Sequence, residues 1–310
     1  MTGKITVGSL MLFFFGLSVI FDIFILKILF FSEAILLFIC SRIFCKSHNT
    51  CCKESSGTVS GKIGAYLINL DRAEERLHFV MPSVAALGFA VERIPAVDGE
   101  TLSQKEIESI ADIELYKFFF KMFPEKGTIG CALSHEKAWR RFLESDNEFA
   151  IIFEDDVEFD PEKLRKIAES AIEKKALWDI LNFETKHDGH PVCISKNVCG
   201  HSIVFYLTNV THAGCYLINR RAARELTKKF YPIKMPSDHY FTTSWEFDLK
   251  FAGIEPRIVS QKFGDSFIKT SPCKKIKIPF ILFINAIYQI QRAVLHFTYN
   301  FFCLYFPGLK

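Results

Sequence analysis

The sequence lacks paired CxxC motifs, internal repeats and a strong excess of charge of either sign. None of its ten cysteines belongs to a CxxC pair, so a zinc site of the zinc-finger type is not expected. The formal net charge is only +3 over 310 residues, and no basic stripe carries interleaved aromatic residues. Nucleic acid is therefore not expected as a partner.

Charge is nearly absent from the amino-terminal region, residues 1–45. This apolar region is longer than the roughly 20 residues that a membrane-spanning helix needs, and no small-residue cleavage site follows it. It is predicted to be a retained membrane segment, either one helix or a helical hairpin, followed by a linker over residues 46–62. A buried core helix is the alternative. Because Arg42, Lys46 and Lys53 follow the apolar run, the positive-inside rule favours attachment to the inner membrane with the main domain facing the cytoplasm.

The carboxyl end, residues 271–310, is also rich in apolar side chains. A basic cluster of Lys274, Lys275 and Lys277 comes just before this apolar stretch. The combination predicts an amphipathic helix at a membrane surface, with the lysines near anionic lipid head groups. A helix packed on the protein core is the alternative.

Residues 63–270 alternate predicted strands and helices. The first elements are a strand over residues 63–70, a helix over 72–87 and a strand over 89–94. This βαβ opening predicts an α/β domain with parallel strands. In the first helix, Asp71 is predicted to be the capping residue.

Two further segments carry local predictions. The apolar periodicity of residues 102–122 predicts a single amphipathic helix. The polar stretch over residues 184–199 predicts a mobile loop over the site.

An acidic triplet follows the most apolar short segment of this domain. In FAIIFEDDVEFD, which begins at Phe149, five apolar residues run into Glu154, Asp155 and Asp156. The apolar run predicts a strand that is buried on both faces, and ligands bind beyond the carboxyl ends of such strands. Three adjacent carboxylates repel one another unless a cation neutralises them, and oxygen ligands suit Mn²⁺ or Mg²⁺. The triplet is therefore predicted to hold Mn²⁺ or Mg²⁺. The alternative is a solvated acidic turn followed by a helix cap, because Asp160-Pro161-Glu162 has the pattern of an N-cap, a proline at the first helical position and an acid in the first turn.

Polar residues also follow the first predicted strand. Asn69, Asp71, Arg72 and Arg76 lie at or just past its carboxyl end, where a nucleotide would bind. The alternative is that they cap the helix and pair with one another.

A third cluster lies on the helix that precedes the acidic strand. Gly130 and Ser134 are four residues apart, so they form a small-residue face that allows another group to approach closely. The next residue, His135, could contact a diphosphate or donate to a carbonyl of the sheet.

Together these segments resemble glycosyltransferase family 25, which contains lipopolysaccharide (lipooligosaccharide) galactosyltransferases and collagen galactosyltransferases. The resemblance covers about residues 63–262, and the ordered set is more specific than any one motif. The matching segments are residues 68–72, Arg76, 96–99, 130–135, 153–157, 213–220 and 236–239.

The resemblance implies a GT-A type nucleotide-diphospho-sugar transferase fold and a divalent cation. It also implies transfer with inversion from a UDP-sugar, usually UDP-galactose, to a glycan or glycolipid acceptor such as lipopolysaccharide. Asp238 is then the first candidate for the base that takes the proton of the acceptor hydroxyl, with Glu246 and Asp248 in reserve. The alternatives are that Asp238 is a metal or sugar ligand, and that Glu246 and Asp248 belong to a solvated helix start. The residues expected to bind the nucleotide sugar are Asn69, Asp71, Arg72, Arg76, Ser134, His135 and Asp155.

Two other functions fit the same acids. A metal-dependent nucleotidyltransferase or phosphotransferase would use them in the same way, and a non-catalytic membrane scaffold could retain the fold without the activity. Fold analogy alone does not separate these alternatives.

Overall fold

The computed structural model describes residues 62–120, 123–185, 191–208, 210–263 and 279–305. The predicted membrane segment (1–45) and nearly all of the predicted linker (46–62) lie outside these residues. Within the described ranges, no helix combines the length and the apolar character needed to cross a membrane. Residues Thr58–Lys310 belong to one compact unit, which has a mixed α/β fold.

The described part of this unit contains ten strands. In chain order they are β1 (Ile63–Asn69), β2 (Ala90–Pro95), β3 (Phe149–Glu154), β4 (Val157–Phe159), β5 (Ile180–Asn182), β6 (Pro191–Val198), β7 (His201–Tyr206), β8 (Cys215–Asn219), β9 (Phe251–Glu255) and β10 (Val259–Gln261). Eight of them form one sheet in the order β2-β1-β3-β8-β5-β9-β7-β6, and β4 pairs with β10 in a small second sheet.

Eight α-helices accompany these strands in the described residues. They are α1 (Glu74–Ala85), α2 (Gln104–Ile110), α3 (Ile113–Phe120), α4 (Lys126–Glu144), α5 (Pro161–Ile172), α6 (Arg220–Lys228), α7 (Ser237–Thr242) and α8 (Pro279–Tyr305). Asp160 accepts a hydrogen bond from the backbone of Lys163 at the start of α5, and Pro161 is its first residue. This helix start has the features that the sequence indicates.

The strand directions bring several carboxyl ends to one side of the main sheet. β1 is parallel to β2 and β3, and β5 is parallel to β9. β8 is antiparallel to both β3 and β5, so β3 and β5 run in the same direction. The carboxyl ends of β1, β2, β3, β5 and β9 therefore lie along one edge, together with the amino end of β8. We call this the carboxyl edge.

The central strands are covered on both faces. Ile152 of β3 belongs to a hydrophobic cluster that includes Trp139 of α4. Its neighbours Ile151 and Phe153 belong to a second cluster, which includes residues of α1 and α5. Because successive side chains of a strand point to opposite faces, these two clusters lie on the two sides of the sheet. The prediction of a strand buried on both faces is confirmed.

The predicted capping role of Asp71 is wrong. The residue at the N-cap of α1 is Ala73, and no side chain caps this helix. The carboxylate of Asp71 instead accepts a hydrogen bond of 2.6 Å from Arg93 of the neighbouring strand β2.

The predicted helix over residues 102–122 is interrupted. Ala111 forms a β-bridge with Ile233, and Asp112 accepts a hydrogen bond of 2.9 Å from the backbone of Leu115. The first contact pulls the backbone out of helical geometry, and the second caps a new helix. The segment is therefore two helices, α2 and α3.

The predicted loop over residues 184–199 contains a strand. Pro191–Val198 is β6, which pairs with β7 at one end of the main sheet. An edge strand is exposed on one side and tolerates polar side chains, which explains why its sequence resembles a loop. Residues 186–190 lie outside the described residues.

The carboxyl-terminal helix α8 packs on the domain through its polar side chains. Arg292, His296 and Asn300 are buried. Nδ1 of His296 lies 3.0 Å from the carbonyl oxygen of Thr242, and the side chain of Asn300 donates to the carbonyl oxygen of Tyr206 at 2.9 Å. This face fits the alternative of a helix packed on the core, and attachment of the helix to a membrane surface stays a prediction.

Candidate functional site

A cleft opens at the carboxyl edge, between the ends of β1 and β3 and the start of α4. Its walls include most of the residues that the sequence analysis singled out. The lining residues are Ile68, Asn69, Leu70, Arg72, Arg76, Ala96, Val97, Asp98, Gly99, Glu100, Gly127, Cys131, Ser134, His135, Glu154, Asp155 and Asp156. The structure thus brings the three predicted clusters to one place.

Asp155 is held by residues from β1 and α1. Its Oδ2 accepts a hydrogen bond of 2.8 Å from the side chain of Asn69, and its Oδ1 accepts one of 3.2 Å from Arg76. Asn69 is itself fixed, because Arg93 donates to its Oδ1 at 2.9 Å. Both carboxylate oxygens of Asp155 therefore have partners inside the protein, which favours a role in holding β1 to β3 over a role as a metal ligand.

Glu154 is held by a chain of buried hydrogen bonds. Its Oε1 lies 3.0 Å from Nε2 of His135, and Nδ1 of His135 lies 3.0 Å from the hydroxyl of Tyr216. Trp139 donates to the same hydroxyl at 2.8 Å. A hydroxyl that accepts from Trp139 has its proton left to donate to Nδ1, so a neutral His135 carries its proton on Nε2 and donates to Glu154. His135 thus bonds to two side chains and not to a carbonyl of the sheet, and its contact with a diphosphate stays a prediction.

The environment of Glu154 favours its ionised form. Burial alone would raise its pKa, but the interaction with His135, followed by smaller contributions from His212 and Arg76, outweighs burial and holds the pKa below its ordinary value. Glu154 therefore presents a negative charge to the cleft.

Asp156 has the opposite environment. Burial and the charge of Glu154 raise the pKa of Asp156 to about 7, although Arg76 acts against them. Its Oδ1 is buried and has no hydrogen-bond partner among the described residues. A buried polar atom without a partner is costly, and a carboxylate oxygen can accept only from donors or bind cations. This atom fits a bound divalent cation.

The donor set suits Mn²⁺ or Mg²⁺ better than a softer metal. Cys131, His135 and Glu154 place one ligand atom each within 4.8 Å of one another, which would fit zinc. However, burial raises the pKa of the Cys131 thiol far above its ordinary value, and His135 is already hydrogen-bonded through both nitrogens. The carboxylates of Glu154 and Asp156 remain as the ligands that would hold the cation.

Gly130 and Ser134 bind the loop that forms the opposite wall of the cleft. The hydroxyl of Ser134 accepts from the backbone of Val97 at 2.8 Å and donates to the carbonyl of Gly130 at 2.7 Å. A Cβ at position 130 would lie 2.6 Å from the carbonyl oxygen of Val97 and 2.7 Å from the backbone nitrogen of Gly99. The predicted close approach therefore exists, and it positions a loop in which Asp98 pairs with Arg72.

Asp238 lies beside the carboxyl edge. Its Oδ2 is 3.3 Å from the backbone nitrogen of His212, in the turn that leads into β8. Ser237, the preceding residue, contacts Cys131 of α4 at 3.4 Å. These contacts place Asp238 near the carboxyl edge, where Glu154 also lies.

Asp238 and three other predicted residues, Asp71, Glu246 and Asp248, are not among those that line the cleft, and the carboxylates of these three pair with basic side chains. Asp71 is highly exposed and pairs with Arg93. The carboxylate of Glu246 pairs with Lys234 at 2.8 Å. We therefore leave Asp71 and Glu246 out of the proposed mechanism.

Asp248 is at the opposite edge of the sheet. Its carboxylate pairs with Arg221, which also pairs with Asp179 at the amino end of β5. The backbone of Asp179 bonds to Asn219, and Asn219 pairs with Phe149, the first residue of β3. Because β3 rises about 3.3 Å per residue, Asp248 is separated from Glu154 by the length of that strand. It is likewise left out of the mechanism.

Two residues that the sequence analysis missed lie close to the acids. Glu184 is 2% exposed, and its Oε1 accepts a hydrogen bond of 2.8 Å from Nδ1 of His212. Glu184 follows the carboxyl end of β5 by two residues, so the rule that flagged the acidic triplet could also have flagged it. The sequence gives no comparable indication for His212, because this residue precedes the amino end of β8, which is antiparallel to its neighbours.

Comparison with known proteins places these features in a family. Residues 62–241 match the family described as glycosyltransferase family 25 (LPS biosynthesis protein). A glycosyltransferase 25 family member of Aedes aegypti is 32% identical over 126 residues, which are 39% of this chain and 21% of that protein. Human procollagen galactosyltransferase 2 is 27% identical over 123 residues, which are 37% of this chain and 20% of that protein.

One relative that matches over more residues has a name that describes it as inactive. The rat protein named probable inactive glycosyltransferase 25 family member 3 is 24% identical over 217 residues, or 63% of this chain and 37% of that protein. The chain therefore spans only about a fifth to two fifths of these curated relatives. Among solved structures, S. aureus TarS aligns with a TM-score of 0.40 and 14% identity, over 80% of this chain and 73% of that chain.

Proposed function

Because this chain belongs to glycosyltransferase family 25, we propose that it transfers galactose from UDP-galactose to a hydroxyl group of a glycan acceptor, such as lipopolysaccharide. The proposal includes a GT-A type fold, a bound Mn²⁺ or Mg²⁺ ion, and inversion at the sugar carbon. The observation that carries it is the buried oxygen of Asp156, which has no partner among the described residues and lies beside the ionised Glu154 in a cleft.

The proposed chemistry assigns a separate task to each group. Glu154 and Asp156 would hold the cation, which when bound neutralises the charge that builds on the departing diphosphate. Arg72 and Arg76 line the same cleft and add positive charge toward the phosphates. Asp238 takes the proton of the acceptor hydroxyl while the new bond to the sugar carbon forms and the bond to the diphosphate breaks.

The first test is a transfer assay on the full chain. We expect UDP-galactose with Mn²⁺ to give galactosylated acceptor and free UDP, and we expect UDP-glucose and GDP-mannose to be poorer donors. Release of pyrophosphate, or transfer of a phosphoryl group, would instead identify a nucleotidyltransferase or phosphotransferase. Failure of every donor to bind or react would favour the non-catalytic alternative, which the inactive name of the rat relative makes worth testing.

A second test separates the roles of the acids. Asp156→Asn removes a negative charge beside Glu154 and the ion pair between Asp156 and Arg76 at 3.5 Å, but it removes no hydrogen bond from Oδ1. It should therefore abolish Mn²⁺ binding and change the melting temperature less than Asp155→Asn does. Asp155→Asn disturbs the bonds to Asn69 and Arg76, so it should lower the melting temperature. Glu158→Gln is the control, since this half-exposed acid pairs with Lys262 and lies outside the lining residues. Full Mn²⁺ affinity in Asp156→Asn would contradict the assignment.

We also propose that the outer face of α8 rests on an anionic membrane surface. On this helix Arg292, His296 and Asn300 are buried, whereas Ile290, Leu295 and Phe297 are 63%, 45% and 40% exposed. An exposed apolar face needs a partner. A lipid surface is the partner that fits best, because the 15 residues directly before the helix contain four lysines and one acid.

The membrane proposal can be tested with the full chain in phosphatidylcholine and phosphatidylglycerol vesicles. A tryptophan introduced by Phe297→Trp should be quenched by brominated lipid, relative to the unmodified chain. Glu162→Trp, at a well-exposed position of α5, is the control and should not be quenched. Absence of additional quenching in Phe297→Trp would show that this face does not contact lipid.

A further inference from the structure

The turn that leads into β8 contacts two of the residues used in the proposed mechanism, the carboxylate of Asp238 and the backbone of Glu154. The backbone nitrogen of His212 lies 3.3 Å from Oδ2 of Asp238, and the carbonyl oxygen of Gly214 accepts from the backbone of Glu154 at 2.8 Å. The position of this turn therefore affects both the acid assigned to the cation and the acid assigned to the acceptor proton.

Glu184 holds this turn from the inside of the protein. Its Oε1 accepts from Nδ1 of His212 at 2.8 Å, and its Oε2 accepts from the backbone of Gly214 at 3.0 Å. A Cβ at position 214 would lie 2.6 Å from Oε2 of Glu184 and 3.0 Å from Cγ1 of Val157. Only glycine lets the carboxylate approach this closely.

The backbone of His212 is in a conformation that needs such support. Its φ of 79° is in the left-handed region, which is uncommon for residues other than glycine. The side chain of Asn182 donates to the carbonyl of His212 at 2.8 Å, and the backbone of Glu184 donates to Oδ1 of Asn182 at 2.7 Å. Residues at the end of β5 thus hold both the side chain and the backbone of His212.

We propose that Glu184 is a positioning residue for the reaction, acting through His212 and Gly214 on Asp238 and Glu154. The proposal rests on the proposed function, because it takes the roles of Asp238 and Glu154 from there. It also assigns the tautomer of His212, since an ionised carboxylate can only accept hydrogen bonds. Neutral His212 must therefore carry its proton on Nδ1.

Glu184→Gln changes this arrangement with almost no change in shape. The amide can still accept from Gly214, but its NH₂ group then faces His212 and forces the proton of the imidazole to Nε2. We expect kcat to fall about 10- to 100-fold, as is typical when a group that orients an active-site residue is changed. Glu158→Gln, the exposed control, should have the kcat of the unmodified chain.

Substitutions of His212 distinguish positioning from chemistry on the imidazole. Asparagine tolerates a positive φ, and its amide NH₂ can replace Nδ1–H as the donor to Glu184, but it has no group equivalent to Nε2. Positioning therefore predicts that His212→Asn keeps most of the activity, whereas His212→Ala loses it. Equal loss in both variants, or full activity in Glu184→Gln, would overturn the proposal.

Two readouts do not require sugar transfer, so they separate failure of this inference from failure of the proposed function. At about pH 8.5, where histidine is neutral, ¹⁵N NMR of the full chain should show His212 protonated on Nδ1, and on Nε2 in Glu184→Gln. The signal is assigned by its loss in His212→Asn. The Mn²⁺ affinity should also fall in Glu184→Gln. An unchanged tautomer and an unchanged affinity would refute the positioning role even if the unmodified chain transfers no sugar.

Discussion

Replacing Tyr216 with phenylalanine tests the buried chain of hydrogen bonds behind Glu154. The hydroxyl of Tyr216 is the partner of Trp139 Nε1 at 2.8 Å and of His135 Nδ1 at 3.0 Å. All three residues are fully or almost fully buried, so water cannot replace the missing hydroxyl without opening the core. Tyr216→Phe therefore leaves the indole N–H and the imidazole nitrogen without their partner.

The expected cost follows from these two groups. Each buried donor or acceptor left without a partner costs about 1–3 kcal/mol, so the free energy of unfolding should fall by about 2–6 kcal/mol. For a domain of this size, 1 kcal/mol corresponds to roughly 2–4 °C, and the melting temperature should fall by about 4–24 °C. Glu154 also loses the fixed orientation of its donor His135, so the Mn²⁺ affinity should fall in the folded protein.

The assay is thermal unfolding of the full chain, followed by Mn²⁺ titration well below the melting temperature. Tyr231→Phe is the matched control, because Tyr231 is 46% exposed and loss of an exposed hydroxyl changes stability by less than about 0.5 kcal/mol. The reasoning fails if Tyr216→Phe melts at the same temperature as Tyr231→Phe. A lower melting temperature with unchanged Mn²⁺ affinity would confirm the packing and refute the link to Glu154.

Three further substitutions test the elements around the site. Gly130→Ala should lower the stability by about 1–3 kcal/mol, because its Cβ would lie 2.6 Å from the carbonyl of Val97; an unchanged melting temperature would contradict this. Arg220→Lys should also lower the melting temperature, because the guanidinium donates to four backbone carbonyls at the end of α4 and one ammonium group cannot replace it; a melting temperature equal to that of the unmodified chain would contradict it. His296→Ala should increase hydrogen exchange in α8, because it removes the contacts to Thr242 and Tyr206; unchanged exchange would show that these contacts do not hold the helix.

The features that were predictable from the sequence depend on neighbours along the chain. The five apolar residues before Glu154 identified β3 as buried on both faces, and the Asp160-Pro161 pair identified the start of α5. Gly130 and Ser134 identified a close approach, since both lie on one helix. In each case the physical cause is contained within a few residues.

The missed features depend on residues that are distant in the chain. The break between α2 and α3 follows from a bridge between Ala111 and Ile233, and the contact between Glu184 and His212 requires β8 to lie beside β5. Local periodicity of the sequence predicts neither of these two contacts. The polar side chains that made β6 resemble a loop reflect its position at one end of the sheet, which also depends on the order of all the strands.

The three adjacent acids illustrate how this long-range order divides one sequence motif into separate tasks. The sequence treats Glu154, Asp155 and Asp156 as equivalent ligands, because all three have carboxylates at the end of one strand. In the fold, Glu154 bonds to His135 from one side of the sheet, and both oxygens of Asp155 bond to the first strand and helix. Only Asp156 has a buried oxygen without a partner among the described residues. The proposed binding of a cation therefore depends on the arrangement around the motif rather than on the motif alone, and we assign it mainly to Asp156, whose Oδ1 has no hydrogen-bond partner among the described residues.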